Sequence, residues 1–215
     1  VLALAEDEAF VFPEIDSIGK VLSREDFNAT HIQQVLALPM VDVEAVKARR
    51  FKVVVDAVNS IGGVVIPALL EQLGCEVVKL NCEPTGEFAH NPEPLPEHLT
   101  EISEVIRREK ADLGVVVDPD VDRLALVNED GSMFGEEYTL VAVADYILSQ
   151  GVGNTVSNLS SSRALRDVTV AHGGEYNASA VGEVNVVAKM KDTNAVIGGE
   201  GNGGVIYPAL HYGRD

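Results

Sequence analysis

The stretch "ADLGVVVDPDVDRLALV", residues 111–127, decides the fold. An apolar run, Leu113 to Val117, stops at Asp118. Carboxylates then stand at alternate positions, Asp118, Asp120 and Asp122, before Arg123 and a second apolar run from Leu124. Short apolar runs bounded by polar breaks read as buried strands. Pro119 lacks an N–H, so the chain leaves its ladder just after Asp118. On an extended strand alternate side chains lie roughly 6.6 Å apart, too far to share an ion whose ligands sit at about 2.1 Å. The three aspartates therefore share a cation only if the loop curls. Their all-oxygen, hard donor set favours Mg²⁺, Mn²⁺ or Ca²⁺ over zinc. Arg123 cannot ligate a metal, but its guanidinium fork can hold a phosphate oxygen. Metal plus arginine is a combination suited to phosphoryl groups.

Upstream, "FKVVVDA" predicts a strand, "NSIGG" a turn, and "VVIPALLEQLG" a helix opened by Gly62 and Gly63 and closed by Gly74. "CEVVKLN" is the next strand, "CEPTGEFAHNPEPLP" a Pro-rich loop, and "EHLTEISEVIRREKA" a helix with a solvated outer face. This spacing predicts βαβ units with right-handed crossovers. The Asp cluster then falls at the carboxyl end of a strand, where open α/β sheets place ligands. Downstream, "RLALVNEDGSMF" turns back at Asp130-Gly131, and "GEEYTLVAVADYILSQG" reads as an amphipathic helix that starts a second unit. There "GNTVSNL" and "EYNASAVG" read as strands, and "SSSRALRDVTVAHGG" and "EVNVVAKMKDT" as helices. "AVIGGEGNGGVIYP" reads as a strand broken by a glycine-rich loop. Residues 1–40 are expected to be a connection, with a helix capped at Ser23 and a second helix from about Asp42. The fold class is α/β: two consecutive three-layer units with mixed, largely parallel sheets, divided near residue 135.

The formal charge of −18 over 215 residues argues against nucleic acid, which needs clustered Lys and Arg. A phosphate ester would need a cation and local arginines against that field. No apolar run approaches the roughly 18 residues of a membrane span, and the start "VLALAEDEAF" lacks the basic region of a signal peptide. Cys75 and Cys82 read as reduced thiols of a cytoplasmic protein. The glycine-rich loop "GGEGNGG", residues 198–204, is neither a Walker loop nor a dinucleotide fingerprint. Glu200 and Asn202 there could meet adjacent sugar hydroxyls. Two other readings of "DPDVDR" stand beside a metal loop of this kind. In one, Asp118, Asp120, Asp122 and Glu129 form an EF-hand-like Ca²⁺ loop, in a cation- or sugar-binding module; Arg123 stands where that loop needs Gly. In the other, Asp118 is the nucleophile of a haloacid-dehalogenase-type phosphatase, with Asp122 where that motif has Thr or Val.

The two loops together, in this order and 80 residues apart, resemble those of the α-D-phosphohexomutase family. These are the phosphoglucomutase/phosphomannomutase and phosphoglucosamine mutase enzymes. Their metal loop reads roughly D-G-D-G-D-R, here "DPDVDR"; their sugar loop reads roughly G-E-x-S-G-H, here "GEGNGG". The similarity extends through "VVVDAVNSIGG", "LLEQLGCEVVKLNCEPTGEF", "HNPEPLPEHL" and "VGEVNVVAKM", nearly the whole chain from residue 41. The resemblance implies residues 1–40 as the end of a first domain, 41–134 as a second domain with the metal loop, and 135–215 as a truncated third domain with the sugar loop. It implies Mg²⁺ on Asp118, Asp120 and Asp122, phosphate on Arg123, and a hexose phosphate on Glu200, Asn202 and Gly203. The family moves a phosphoryl group between a serine in its first domain and the 1- and 6-positions of a hexose, through a bisphosphate.

Departures from the pattern carry their own expectations. Pro119 and Val121 replace the two glycines of the metal loop, which should stiffen it. Gly204 replaces the imidazole of the sugar loop, and Ser160, with Arg163 nearby, stands where many members carry a basic residue. No general acid or base is thereby assigned. "FAHNP", residues 88–92, mimics the family's serine motif T-A-S-H-N-P with Ala89 at the serine, but its position makes it a structural loop. A chain read as a central portion, without the serine domain or the fourth, phosphate-binding domain, is expected to be inactive alone. It is also expected to self-associate through apolar surface left uncovered.

Overall fold

The computed structural model describes residues 2–8, 10–20 and 22–214. Two short helices, α1 (Leu2–Glu6) and α2 (Asn28–Leu36), precede the first unit, with a 3-10 turn at Ile15–Ser17 between them. The helix expected to be capped at Ser23 starts only at Asn28. Asp26 Oδ1 accepts from the Asn28 N–H at 2.9 Å, a local turn that keeps the preceding residues out of the helix. α3 (Val43–Arg49) is capped as its sequence suggests, Asp42 Oδ1 accepting from the Ala45 N–H at 2.9 Å.

The first unit runs β1 (Lys52–Asp56), α4 (Gly62–Gln72), β2 (Glu76–Leu80), α5 (Thr100–Glu109), β3 (Leu113–Val117) and β4 (Leu124–Asn128). Its strand order is β2-β1-β3-β4, parallel except for β4. Val53, Val54 and Val55 are all buried, because helices cover both faces. Val54 and Val116 pack with Ile102 and Ile106 of α5. Val117 points the other way, its Cγ2 lying where a side chain on Gly62 of α4 would be. Alternation along the strands thus builds three layers.

The second unit repeats the plan: α6 (Glu136–Gln150), β5 (Asn154–Asn158), α7 (Ala164–Ala171), β6 (Tyr176–Ser179), α8 (Glu183–Thr193), β7 (Ala195–Gly199) and β8 (Val205–Ile206). Its order is β6-β5-β7-β8, again with only the last strand antiparallel. Val156, Val186 and Met190 form one core layer, and Leu140, Ala144, Leu165 and Ile197 the other. The helix expected over the three serines begins at Ala164, since Ser160 and Ser161 turn back to bond Asn158. α6 packs on β4 of the first sheet as well as on α7 and β7 of its own unit. No helix among the described residues is long and apolar enough to cross a membrane.

Candidate functional site

The matching strand orders make the two loops counterparts. Residues 118–123 link β3 to β4, and residues 200–204 link β7 to β8. Each is the turn from the last parallel strand to the antiparallel edge strand. Each opens with a buried carboxylate, Asp118 at 0% and Glu200 at 6% exposure. The strands one step inward match as well: β1 ends in buried Asp56 and β5 in buried Asn158.

The Asp loop curls as the metal reading requires. One oxygen from each of Asp118, Asp120 and Asp122 lies within 4.8 Å of the others. Two oxygens on one Mg²⁺ stand about 3 to 4.2 Å apart, so small inward movements close such a site. The curl is made by Asp118, whose Oδ1 accepts from the N–H groups of Asp122 and Arg123, each at 3.1 Å. Val121 takes φ +62°, left-handed backbone where the family's pattern has glycine. For a branched side chain that costs about 1–2 kcal/mol. Burial, and then the Asp118 and Asp120 carboxylates, push the Asp122 pKa up, against the pull of Arg214. Crowded carboxylates of this kind suit a divalent cation.

Arg123 is held by carboxylates. Its Nε donates to Asp118 Oδ2 at 2.7 Å and its Nη1 to Glu93 Oε1 at 3.3 Å. Burial works against its charge, but the Asp118 hydrogen bond and the charges of Asp118, Asp122 and Glu93 outweigh it and raise its pKa. Glu93 arrives on the "FAHNP" loop. That loop is pinned by His90 Nε2 against Asp56 Oδ2 at 3.1 Å, while Glu93 N–H donates to Asn91 Oδ1 at 3.1 Å. Ala89 is exposed in this loop, between β2 and α5.

In the second loop, Glu200 Oε1 accepts from Asn158 Nδ2 at 2.5 Å and from the Gly182 N–H at 3.3 Å. Asn202 Oδ1 turns inward to the Gly204 N–H at 3.1 Å. Gly203 is required by its setting: it has φ +85°, and a Cβ there would lie 1.9 Å from the Leu124 carbonyl oxygen. The glycine-rich loop therefore sits backbone to backbone on the end of the Asp loop. Arg214 joins them. Its Nη2 donates to Asp122 Oδ2, its Nη1 to Glu200 Oε2 at 2.8 Å, and its Nε lies 3.5 Å from Glu183 Oε2.

The structure thus brings Asp118, Asp120, Asp122, Arg123, Glu200, Asn202 and Gly203 to one seam. Sequence reasoning missed Asn158, Glu183, Glu93 and Arg214. Asn158 had no clear signal, since its strand, NTVSN, is polar at four of its five positions. Arg214 had none, since it meets Asp122 from 92 residues away. Ser160 is exposed and donates to Asn158 Oδ1 at 3.0 Å, and Arg163 is exposed at the start of α7. Glu129 lies beyond the far end of β4, about 20 Å of extended chain from the Asp loop, so it cannot complete an EF-hand site. Asp118, fully buried with three hydrogen bonds, is not presented as a phosphatase nucleophile. Cys75 and Cys82 are free, and burial pushes both thiols up.

Residues 29–131 match the family model for phosphoglucomutase/phosphomannomutase alpha/beta/alpha domain II, and residues 135–215 match that for domain III. A phosphoglucomutase/phosphomannomutase of Thermococcus kodakarensis is 39% identical over 202 residues, 93% of this chain and 44% of that protein. A protein of Methanopyrus kandleri named "Probable phosphoglucosamine mutase" is 35% identical over 93% of this chain and 44% of its own length. The crystal structure of a phosphoglucomutase/phosphomannomutase family protein from Burkholderia thailandensis superposes with a TM-score of 0.78 at 29% identity, over 90% of this chain and 42% of that one. The chain thus spans less than half the length of these relatives. With both units matched by consecutive domain models, the chain belongs to the phosphoglucomutase/phosphomannomutase family.

Proposed function

We propose that these two units hold the metal and select the sugar in an Mg²⁺-dependent phosphohexomutase, an isomerase interconverting hexose 1- and 6-phosphates through a bisphosphorylated sugar. The observation that carries this reading is the meeting of two equivalent loops at one seam, one bearing Asp118, Asp120 and Asp122 and the other Glu200. Asp118, Asp120 and Asp122 would hold the ion. Bound there, Mg²⁺ supplies positive charge to a phosphoryl group in transfer. The Arg123 guanidinium stands beside the three carboxylates and offers N–H groups to phosphate oxygens. Glu200, fixed by Asn158, accepts from sugar hydroxyls, and Asn202 and Gly203 shape the loop around them. The hexose is glucose, mannose or glucosamine, as phosphate ester. The compartment is the cytoplasm, in keeping with free thiols.

Phosphoryl transfer would also draw on parts of the family's architecture outside these two domains, the serine above all. The 215-residue chain alone is expected to show no mutase turnover and to self-associate. Measurable turnover in a coupled assay, or a monomer in sedimentation at high concentration, would contradict those two expectations respectively. The metal assignment is tested by calorimetric titration with Mg²⁺. Asp120→Ala should abolish binding, while Glu129→Ala should leave it unchanged. The reverse pattern, with Ca²⁺ preferred, would favour a cation-binding module instead.

A further inference from the structure

We infer that Arg214 is a positioning residue that acts as the resident counter-cation of the metal loop, and that a divalent ion must displace it from Asp122. The inference rests on the reading of the Asp loop as a cation site. Its ground is the set of partners Arg214 makes. The guanidinium reaches Asp122 of the first unit with Nη2 and Glu200 of the second with Nη1 at 2.8 Å. Its Nε faces Glu183 Oε2 at 3.5 Å, and its backbone N–H donates to Glu183 Oε1 at 3.3 Å. One cation thus serves three carboxylates from the metal loop, the sugar loop and the first turn of α8. The Nε–H is buried without a hydrogen bond, so the side chain is not at rest in a fully satisfied nest.

Room for Arg214 comes from Gly204. A Cβ at Gly204 would lie 2.5 Å from Arg214 Cδ. The departure from the family's imidazole at this position therefore has a physical counterpart: the vacated space is filled by an arginine arriving from farther along the chain. A guanidinium on Asp122 and a divalent ion beside it repel each other, and both neutralise the same charge. The two are therefore alternative occupants. Capture of the ion frees Arg214 from Asp122, and the sugar loop gains a mobile guanidinium beside Glu200.

The test is Mn²⁺ binding to the 215-residue chain, read from the electron paramagnetic resonance signal of the free ion. Arg214→Met should tighten Mn²⁺ binding about tenfold, as a nearby positive charge is removed. Gly204→Ala keeps the arginine but pushes it off Asp122, and should tighten binding in the same direction, by less. Circular dichroism checks that both variants fold. A clamp with a purely structural role gives the opposite sign, because losing it would loosen the loop and weaken binding. Unchanged or weaker binding in the two variants, with the wild type binding normally, overturns the Arg214 inference and leaves the metal reading standing. No binding by the wild type or either variant overturns the metal reading, and this inference with it.

Discussion

Asn158 shows how single residues set this site. It ends β5, is 3% exposed, and spends its amide on Glu200 while its Oδ1 accepts from Ser160 and Ser161. Asn158→Ala removes a donor from a buried carboxylate and a shared acceptor from two hydroxyls. Such a loss costs about 1–3 kcal/mol, so the urea midpoint should fall accordingly; an unchanged midpoint would mean that Glu200 finds another donor. Legibility at this scale followed chemistry within short windows. The three aspartates and Arg123 could be singled out because their pattern is compressed into six residues. Arg214 and Glu93 could not, because what matters about them is where other parts of the chain deliver them.

At the scale of elements, the apolar runs announced the central strands β1 and β3, where burial on both faces leaves little choice of residue. The helix starts were less readable. α2 begins at Asn28 and α7 at Ala164, in both cases because a polar side chain just before the helix bonds locally and holds the chain in a turn. The equivalence of the two loops was hidden too, since it lies in strand order rather than in shared residues. The contact of Gly203 with β4 gives a direct prediction. Gly203→Ala must move backbone, because its Cβ would meet the Leu124 carbonyl and its φ is +85°. The left-handed conformation alone costs about 1–2 kcal/mol. The variant should unfold at lower urea, and its second loop should become more accessible to proteolysis. A protein as stable and as resistant as the wild type would show that the two loops do not pack as described. In the core, Ile106→Ala should cost about 2–5 kcal/mol, as for other buried large-to-small changes.

For the whole molecule, charge is the governing quantity. Acidic groups outnumber Lys and Arg by 34 to 16, so the folded chain repels itself. Raising NaCl from about 10 mM to about 150 mM shortens the screening length to about 8 Å and should raise the thermal midpoint; a fall would mean that local ion pairs dominate. Acid works through specific groups. The Lys52 side-chain hydrogen bond, with help from Arg108, lowers the Glu109 pKa, and Ser132 lowers that of Asp130. Groups with depressed pKa values stabilise fully above their unfolded values and lose that contribution as pH falls through the folded ones. Lys52 is raised, chiefly by Glu109 and then Glu76, so its contribution is lost only as pH rises through its folded value. Stability should therefore plateau near neutrality and fall on both sides. Glu109→Gln should shallow the acid limb slightly, because the pair lies at the surface. An acid limb unchanged by Glu109→Gln would place the acid sensitivity elsewhere.

The two loops are proposed to form one site for a metal ion and a hexose phosphate. The most direct test follows the backbone amides of residues 118, 120–123 and 200–204 by NMR. Mg²⁺ is added first, then the 6-phosphates of glucose, mannose and glucosamine in turn. If the loops form such a site, Mg²⁺ should shift the amides of residues 118 and 120–123. At least one sugar phosphate should then shift both loops along a single binding curve, and Glu200→Gln should abolish the response of residues 200–204 to sugar. Shifts confined to one loop, or a sugar response indifferent to Glu200, would contradict that proposal.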